Sequence, residues 1–317
     1  MAKGLVIKST GSSYIVRMDD GTDTECRIKG NFRIRGIRST NPVAVGDYVQ
    51  VDEGWITDVE ERRNYIIRKS TNLSKESHIL AANIDQVALI VTVNHPVTST
   101  TFIDRFLATC EAYRVRALLI FNKIDLLNED ELAQLAELRA LYESIGYKTM
   151  ALSAKNLDSE AINAAGNTRE AINALLAGQT TLLSGNSGVG KSTLLNALFG
   201  REMTRTGKIS DAHDKGMHTT TFSEMYFYPS SNNHSPFAII DTPGIKSFGT
   251  IDFEKEEVSH YFPEIFKAGR DCRFGNCTHT HEPGCAVQDK IITGDIAISR
   301  YESYLSLLGD CDESKYR

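Results

Sequence analysis

Cysteine is scarce, six residues in 317. That is too few for the disulfide framework of a small secreted protein, so clustered cysteines here read as metal ligands in a reducing compartment. No apolar run approaches the ~18 residues that a membrane span requires; the longest, residues 87–93, is strand-sized. Met1-Ala2-Lys3-Gly4 carries no apolar core of a secretory signal, so a cytoplasmic protein with no membrane partner is expected. Repeats of solenoid period and low-complexity tracts are lacking too. An excess of positive charge is missing as well: 35 Lys and Arg face 41 Asp and Glu, a net charge of -6. Over the whole chain that balance gives no reason to expect nucleic acid. It averages unlike segments, however: 12 basic against 10 acidic side chains in residues 1–70, and 8 against 13 in residues 248–317. What is present is 41% hydrophobic and 24% charged residues, enough for packed cores and incompatible with wholesale disorder. Length alone predicts two domains, at roughly 100–200 residues each.

Three regions follow one another. Residues 1–68 alternate short β-prone runs (13–18, 25–28, 32–37, 47–51, 54–59) with turn residues, which predicts a small all-β barrel or sandwich; a small five-stranded barrel of this kind resembles an OB-fold. Residues 71–247 alternate apolar runs with helical periodicity. Strands are expected at 86–93, 117–121, 148–152, 180–184 and 237–241, and helices at 103–113, 129–145 and 159–176. That rhythm predicts an α/β domain with a mostly parallel sheet. Residues 248–317 hold a cysteine and histidine cluster, then helical material at 301–308.

The most specific pattern is Gly185-Asn186-Ser187-Gly188-Val189-Gly190-Lys191-Ser192, a P-loop set between an apolar strand and a helix, with Thr193 inside the helix. Its glycines let successive N–H groups face an anion at a helix N-terminus. Lys191 then reaches the β- and γ-phosphates, and the Ser192 hydroxyl ligates Mg²⁺. Asn122-Lys123-Ile124-Asp125 chooses the base. An Asp125 carboxylate accepts the two hydrogens that guanine presents at N1 and N2, and adenine would leave it unpaired. Ser153-Ala154-Lys155 follows another strand and offers backbone N–H groups to the guanine O6, and Asp241-Thr242-Pro243-Gly244 follows a fourth. Such loops at carboxyl ends of parallel strands are where α/β sheets bind ligands. The ligand is therefore GTP or GDP, with Asp241 holding Mg²⁺ through water and the Gly244 N–H on the γ-phosphate. A kinase is disfavoured by the guanine-reading loop and by the lack of an acceptor site.

The order of these motifs is permuted: the guanine-reading loops precede the P-loop, which is followed by Gly216-Met217-His218-Thr219-Thr220-Thr221 and then Asp241 to Gly244. A β-barrel, a permuted GTPase and a terminal Cys/His cluster together resemble the bacterial ribosome small-subunit-dependent GTPase A family (also called YjeQ or YloQ), over nearly the whole chain. The resemblance implies that Thr220 is the switch hydroxyl reaching Mg²⁺ and the γ-phosphate. Ile245 stands where Ras-like proteins carry a water-orienting Gln, and an aliphatic side chain cannot hydrogen-bond water. His218 is the candidate for that role, in agreement with the resemblance.

Cys272, Cys277 and Cys285 with an imidazole from His279 or His281 fit a closed, tetrahedral, structural Zn²⁺ site. The family spacing points to His279. Such a site lets a segment too small to hold itself fold as a third domain. Cys26, Cys110 and Cys311 are scattered and read as ordinary thiols.

Between Cys26 and Thr40, Arg27, Lys29, Arg33, Arg35 and Arg38 occur without an acidic residue, and Arg62, Arg63, Arg68 and Lys69 lie further on. From the residues alone this is either a phosphate-tracking face or a solvated strand face. The resemblance favours the first, with 16S rRNA as ligand. It implies a monomeric GTP hydrolase that binds the small (30S) ribosomal subunit late in maturation, is stimulated by it, and leaves on hydrolysis. The second reading is a GTP-gated switch acting on a non-ribosomal RNA. Because the chain after Gly244 runs straight into the zinc region, a γ-phosphate that orders this turn is expected to reorient the zinc module.

Overall fold

The computed structural model describes residues 2–10, 13–29, 42–69, 77–159, 169–203, 223–229, 234–242 and 253–314. Five strands, β1 (Ala2–Ser9), β2 (Tyr14–Met18), β3 (Asp23–Ile28), β4 (Tyr48–Asp52) and β5 (Trp55–Val59), come first. They pair in the order β1-β2-β3-β5-β4 and close through β1–β4, with β3–β5 the parallel pair. This is a five-stranded OB-type barrel around Val6, Tyr14, Val16, Cys26, Val49, Val51 and Ile56. A hairpin follows, β6 (Tyr65–Lys69) with β7 (Ser77–Ala82).

The α/β region contains β8 (Gln86–Val91), α1 (Thr100–Ala112), β9 (Arg116–Phe121), α2 (Glu129–Ile145), β10 (Lys148–Ala151), α3 (Arg169–Leu176), β11 (Thr180–Ser184), α4 (Lys191–Phe199), β12 (Ser223–Tyr228) and β13 (Phe237–Asp241). Its strands run β10-β9-β8-β11-β13-β12, parallel except for β12. Strand β8 is buried at every position, as a central parallel strand must be. Its odd positions, Val87, Leu89 and Val91, enter one core with α1 and α2. Ala88 and Ile90 enter the other with α3 and α4. α2 is cut cleanly from its surroundings by a capping box, Asn128 with Glu131, and ends on Gly146 in the left-handed region.

The C-terminal region carries α5 (Pro263–Gly269), α6 (Ala286–Ile292) and α7 (Ile298–Ser314). Its apolar core of Phe253, Val258, Phe262, Ile265, Val287, Tyr304 and Leu307 also takes in Ala108 of α1. Among the described residues no helix is long and apolar enough to cross a membrane.

Three sequence expectations change. Within the expected barrel of residues 1–68 the first expected strand begins at residue 13, so β1 is not among the expected strands. In that strand a bulge between Val6 and Lys8 breaks the period-2 pattern, and Val6 serves the barrel core while Ile7 serves the sheet core. A domain boundary at 68–71 falls inside the β6–β7 hairpin, because alternation alone does not distinguish a hairpin from barrel strands. Arg62 is not an RNA-facing charge. Its side chain is 6% exposed and grips Asp47 with two hydrogen bonds of 2.7 Å, and it also donates to the Pro42 carbonyl. Arg63 is exposed but pairs with Asp85 at 2.8 Å. Arg33, Arg35 and Arg38 lie outside the described residues.

Candidate nucleotide site and metal centre

The sheet delivers four motif loops to one edge. Gly185 follows β11, Asn122 follows β9, Ser153 lies just beyond β10, and Asp241 ends β13. Asn122 draws three of them together. Its Nδ2 donates to the Val189 carbonyl of the P-loop (2.8 Å), and its Oδ1 accepts from the Ala154 N–H (2.8 Å). The Asn122 N–H donates to Val91 at the end of β8. Close approach is why residue 190 is glycine: a Cβ there would lie 2.3 Å from Asn122 Nδ2, and the backbone has φ +100°. Gly185 is equally constrained, since a Cβ would sit 2.4 Å from the Ile90 carbonyl oxygen.

Lys191 bends back over the P-loop, its ammonium donating to the carbonyls of Gly185 (2.7 Å) and Asn186 (2.8 Å). Burial lowers its pKa and the Asp241 charge opposes that shift. Ser187 and Gly188 form the outer part of the loop, Val189 is buried, and Ser192 and Thr193 open α4 half-buried.

Lys123, with a left-handed backbone (φ 65°), donates to the His95 carbonyl. Burial lowers its pKa against the pull of Asp125. Asp125 is half-buried, Ser153 is buried, and Lys155 is exposed. The Ala154 N–H expected to meet the guanine O6 is engaged by Asn122, so a base would share it. His218, Thr220 and Gly244 lie outside the described residues.

Asp241 and Thr242 are buried, and the Thr242 hydroxyl has no hydrogen-bond partner among the described residues. A carboxylate whose charge acts on the P-loop lysine, and the hydroxyl of the next residue, are hard oxygen donors of the kind Mg²⁺ takes.

The loop after β8 is a site element that motif reading missed. Asn94 reaches the α2 cap through Glu131 (2.5 Å), the His95 carbonyl receives Lys123, and Pro96 packs where a Cβ on Gly188 would be 3.6 Å away. The available signal was the turn sequence Asn94-His95-Pro96 at the carboxyl end of the most apolar strand.

At the C-terminal end, Cys272, Cys277, His279 and Cys285 bring one ligand atom each to within 4.8 Å of one another. Cys272 Sγ and Cys285 Sγ are each 3.5 Å from His279 Nδ1 and 3.9 Å from each other. A tetrahedral Zn²⁺ with bonds of ~2.3 Å to sulfur and ~2.05 Å to nitrogen sets these separations near ~3.5 and ~3.8 Å, so the donor set fits the ion. A disulfide would need sulfurs ~2.05 Å apart. Burial pushes the Cys277 thiol up to about 12 and raises Cys285 as well. Without a cation at the centre these sulfurs would therefore stay protonated.

Gly269 makes room for the imidazole, since a Cβ there would lie 3.0 Å from His279 Cε1. Tyr301 and Gln288 hold the His279 carbonyl, and Tyr304 holds that of Thr278. His281 is exposed and hydrogen-bonds Thr280 instead.

Fold and loops together define a class, a circularly permuted P-loop protein with an Asn-Lys-x-Asp loop, a barrel before it and a Cys₃His cluster after it. The family model described as RsgA GTPase matches residues 59–251, and that of the RsgA N-terminal domain matches residues 3–56. The small ribosomal subunit biogenesis GTPase RsgA 2 of Bacteroides thetaiotaomicron is 58% identical over 99% of both chains. The RsgA of Porphyromonas gingivalis is 54% identical over 99% of this chain and 98% of its own. Among solved structures, YjeQ from Thermotoga maritima matches with a TM-score of 0.71 at 31% identity, covering 98% of each chain. YloQ, a circularly permuted GTPase, matches with a TM-score of 0.68 at 28% identity, covering 100% of this chain and 97% of its own. This chain belongs to the RsgA family of GTPases.

Proposed function

We propose that this GTP hydrolase assists late maturation of the small ribosomal subunit, binding it with GTP and leaving after hydrolysis. The observation that carries the reading is the Asn122 clamp, which assembles the phosphate loop and the guanine-reading loops at one sheet edge. The relatives' printed names supply the ribosomal target. In this reading Gly185 to Ser192 and Thr193 cradle the phosphates, Lys191 moves from loop carbonyls to phosphate oxygens, and Asn122, Lys123, Asp125 and Ser153 to Lys155 bind the base. Ser192, Thr220 and Asp241 hold Mg²⁺, which when bound neutralises charge between the β- and γ-phosphates. Gly244 donates to the γ-phosphate and His218 orients the attacking water. Cys272, Cys277, His279 and Cys285 hold one structural Zn²⁺. The barrel meets 16S rRNA, and the protein acts as a cytoplasmic monomer.

Turnover of the isolated protein is expected to be slow, on the order of 10⁻⁴ s⁻¹, and to rise strongly with purified small subunits. His218→Ala should abolish that rise while leaving GTP affinity intact; undiminished stimulated turnover would remove His218 from the mechanism. Co-sedimentation with small subunits in a non-hydrolysable GTP analogue, lost in GDP, is the direct test of the ribosomal target. Its absence, with binding to another RNA, would favour the non-ribosomal switch.

Asp125→Asn is expected to weaken GDP binding by about 10²-fold or more, because its amide presents a donor where guanine also donates. Xanthine carries a carbonyl at C2, so the same variant should gain xanthosine diphosphate binding. Fluorescent-nucleotide titration of both bases checks this, and equal loss for both would place Asp125 away from the base edge.

A further inference from the structure

The barrel continues the GTPase sheet. β1 pairs antiparallel with β12, Lys8 opposite Glu224 and Ser9 opposite Ser223. β12 pairs antiparallel with β13, Glu224 opposite Asp241. Lys8, Glu224 and Asp241 therefore form one row across three strands, on one face of the sheet. That face carries the P-loop helix, for Tyr226, two residues along from Glu224, packs with Leu194, Leu195 and Leu198 of α4.

The Lys8 ammonium lies 2.9 Å from the Glu224 carboxylate, with side chains 34% and 32% exposed. Tyr226 donates its hydroxyl proton to Glu224 at 3.3 Å. Burial first, and then the charges of Glu224 and Asp241, raise the pKa of that hydroxyl, so both carboxylates act on one small region. Two further contacts fasten the same seam. Arg17 of β2, held by two hydrogen bonds to Asp23, lies over the Phe227 ring at 4.5 Å. On that same face, opposite to Glu224 and Tyr226, Ile7 shares a core with Met225 and Ile240.

We propose that Lys8 and Glu224 are positioning residues for the nucleotide site: they seat the barrel on β12 and so hold Asp241 where it retains Mg²⁺ with guanine nucleotide. The inference rests on the reading that Asp241 faces the metal. Lys8 compensates a carboxylate that would otherwise add an uncompensated negative charge beside Asp241, and the β1–β12 pairing fixes the strand next to β13. Because coupling free energy is reciprocal, whatever binds the barrel and shifts β1 changes nucleotide affinity by the factor with which nucleotide changes its binding.

The test is release of a fluorescent GDP analogue from the full-length protein, in Mg²⁺ and in chelator. Mg²⁺ should slow release from the parent protein. Lys8→Glu and Glu224→Lys should each shrink that slowing about three- to fivefold, the scale of a partly exposed ion pair, and leave the rate in chelator unchanged. The double swap K8E/E224K rebuilds the ion pair and should restore the slowing. A loss confined to the Mg²⁺-dependent part, with release in chelator unchanged, is what a merely structural role for either residue would not predict.

Unchanged slowing in both single variants overturns the inference, as does an equal change with and without Mg²⁺. Asp241→Asn is the separate arm. If it leaves the Mg²⁺ effect intact, the assignment of Asp241 to the metal fails; if it removes the effect while Lys8 and Glu224 variants do not, only the positioning role fails. Should a charge reversal prevent folding, Arg17→Ala probes the same seam, with a reduced Mg²⁺ effect supporting the proposal and an unchanged one opposing it.

Discussion

Removal of zinc, or Cys285→Ser, is expected to unfold residues 272–296 while the GTPase sheet persists. Apparent zinc binding in small modules is worth about 10–16 kcal/mol, more than such a segment can supply from its own core. The segment adds Cys285, Val287 and Ile296 to the buried members of an apolar cluster that is otherwise built from residues 253–265, Ala108 and α7. The loop between the ligands is held by polar contacts, chiefly Glu282 accepting from the N–H groups of Thr278, Thr280 and His281. One zinc per chain, released by a thiol-reactive agent, and new protease cleavage between 272 and 296 after chelation are the expected results. His279→Ala should lose the ion, and His281→Ala should keep it. An unchanged cleavage pattern in metal-free protein would rule out a folding role for the cluster.

Arg300→Ala is the second large effect, about 3–5 kcal/mol of destabilisation. The guanidinium, 1% exposed, donates to Asp104 (2.8 Å), which is fully buried, and to Glu264 twice (2.7 and 3.2 Å). Tyr142 donates to the same Asp104 oxygen (2.9 Å), and Phe262 lies beneath the guanidinium at 4.8 Å. Burial alone would lower the Arg300 pKa, but the two carboxylates outweigh it and hold it above its ordinary value. Deleting the cation leaves two carboxylates in or near a core with no counter-charge, and that is the costly event. Arg300→Lys keeps charge but loses the planar fork, and should fall between the two. Thermal unfolding reads the series; an Arg300→Ala transition within a degree or two of the parent would show that the network contributes little.

The same network bears on coupling. Asp104 belongs to α1 of the GTPase core, whereas Arg300 and Glu264 belong to the zinc module. The reorientation expected from the chain order would have to break this buried triad, at a cost few ligands supply through differential affinity. The β1–β12 seam is a more economical route for a nucleotide signal, since its ion pair is partly exposed and its strand adjoins β13.

Legibility divides along physical lines. The P-loop, Asn122 to Asp125, Ser153 to Lys155 and the four zinc-ligand candidates were readable because each is a local pattern. Within a few residues it fixes the backbone shape, the charge and the donor set that a ligand needs. The alternation of strands and helices gave the class of the central domain for the same reason: side-chain period is a property of neighbouring residues. Strand β1 was not readable, since its apolar residues serve two cores and a bulge breaks the period. Nor was the fate of Arg62, because a basic residue in a linker looks solvent-exposed until the fold brings Asp47 to it.

Sequence by itself thus carried the chemistry expected of this protein: a P-loop with a guanine-reading pattern, hard oxygen donors of the kind Mg²⁺ takes, and thiols with one imidazole of the kind zinc takes. Only the tertiary structure decided which distant groups meet. Asn122 reaches Val189 across 67 residues and Arg300 reaches Asp104 across 196. Lys8 stands in a row with Glu224 and Asp241 only because strand register places it there. Local patterns carry their own geometry, whereas such contacts exist only once burial of the whole sheet has fixed which strands are neighbours.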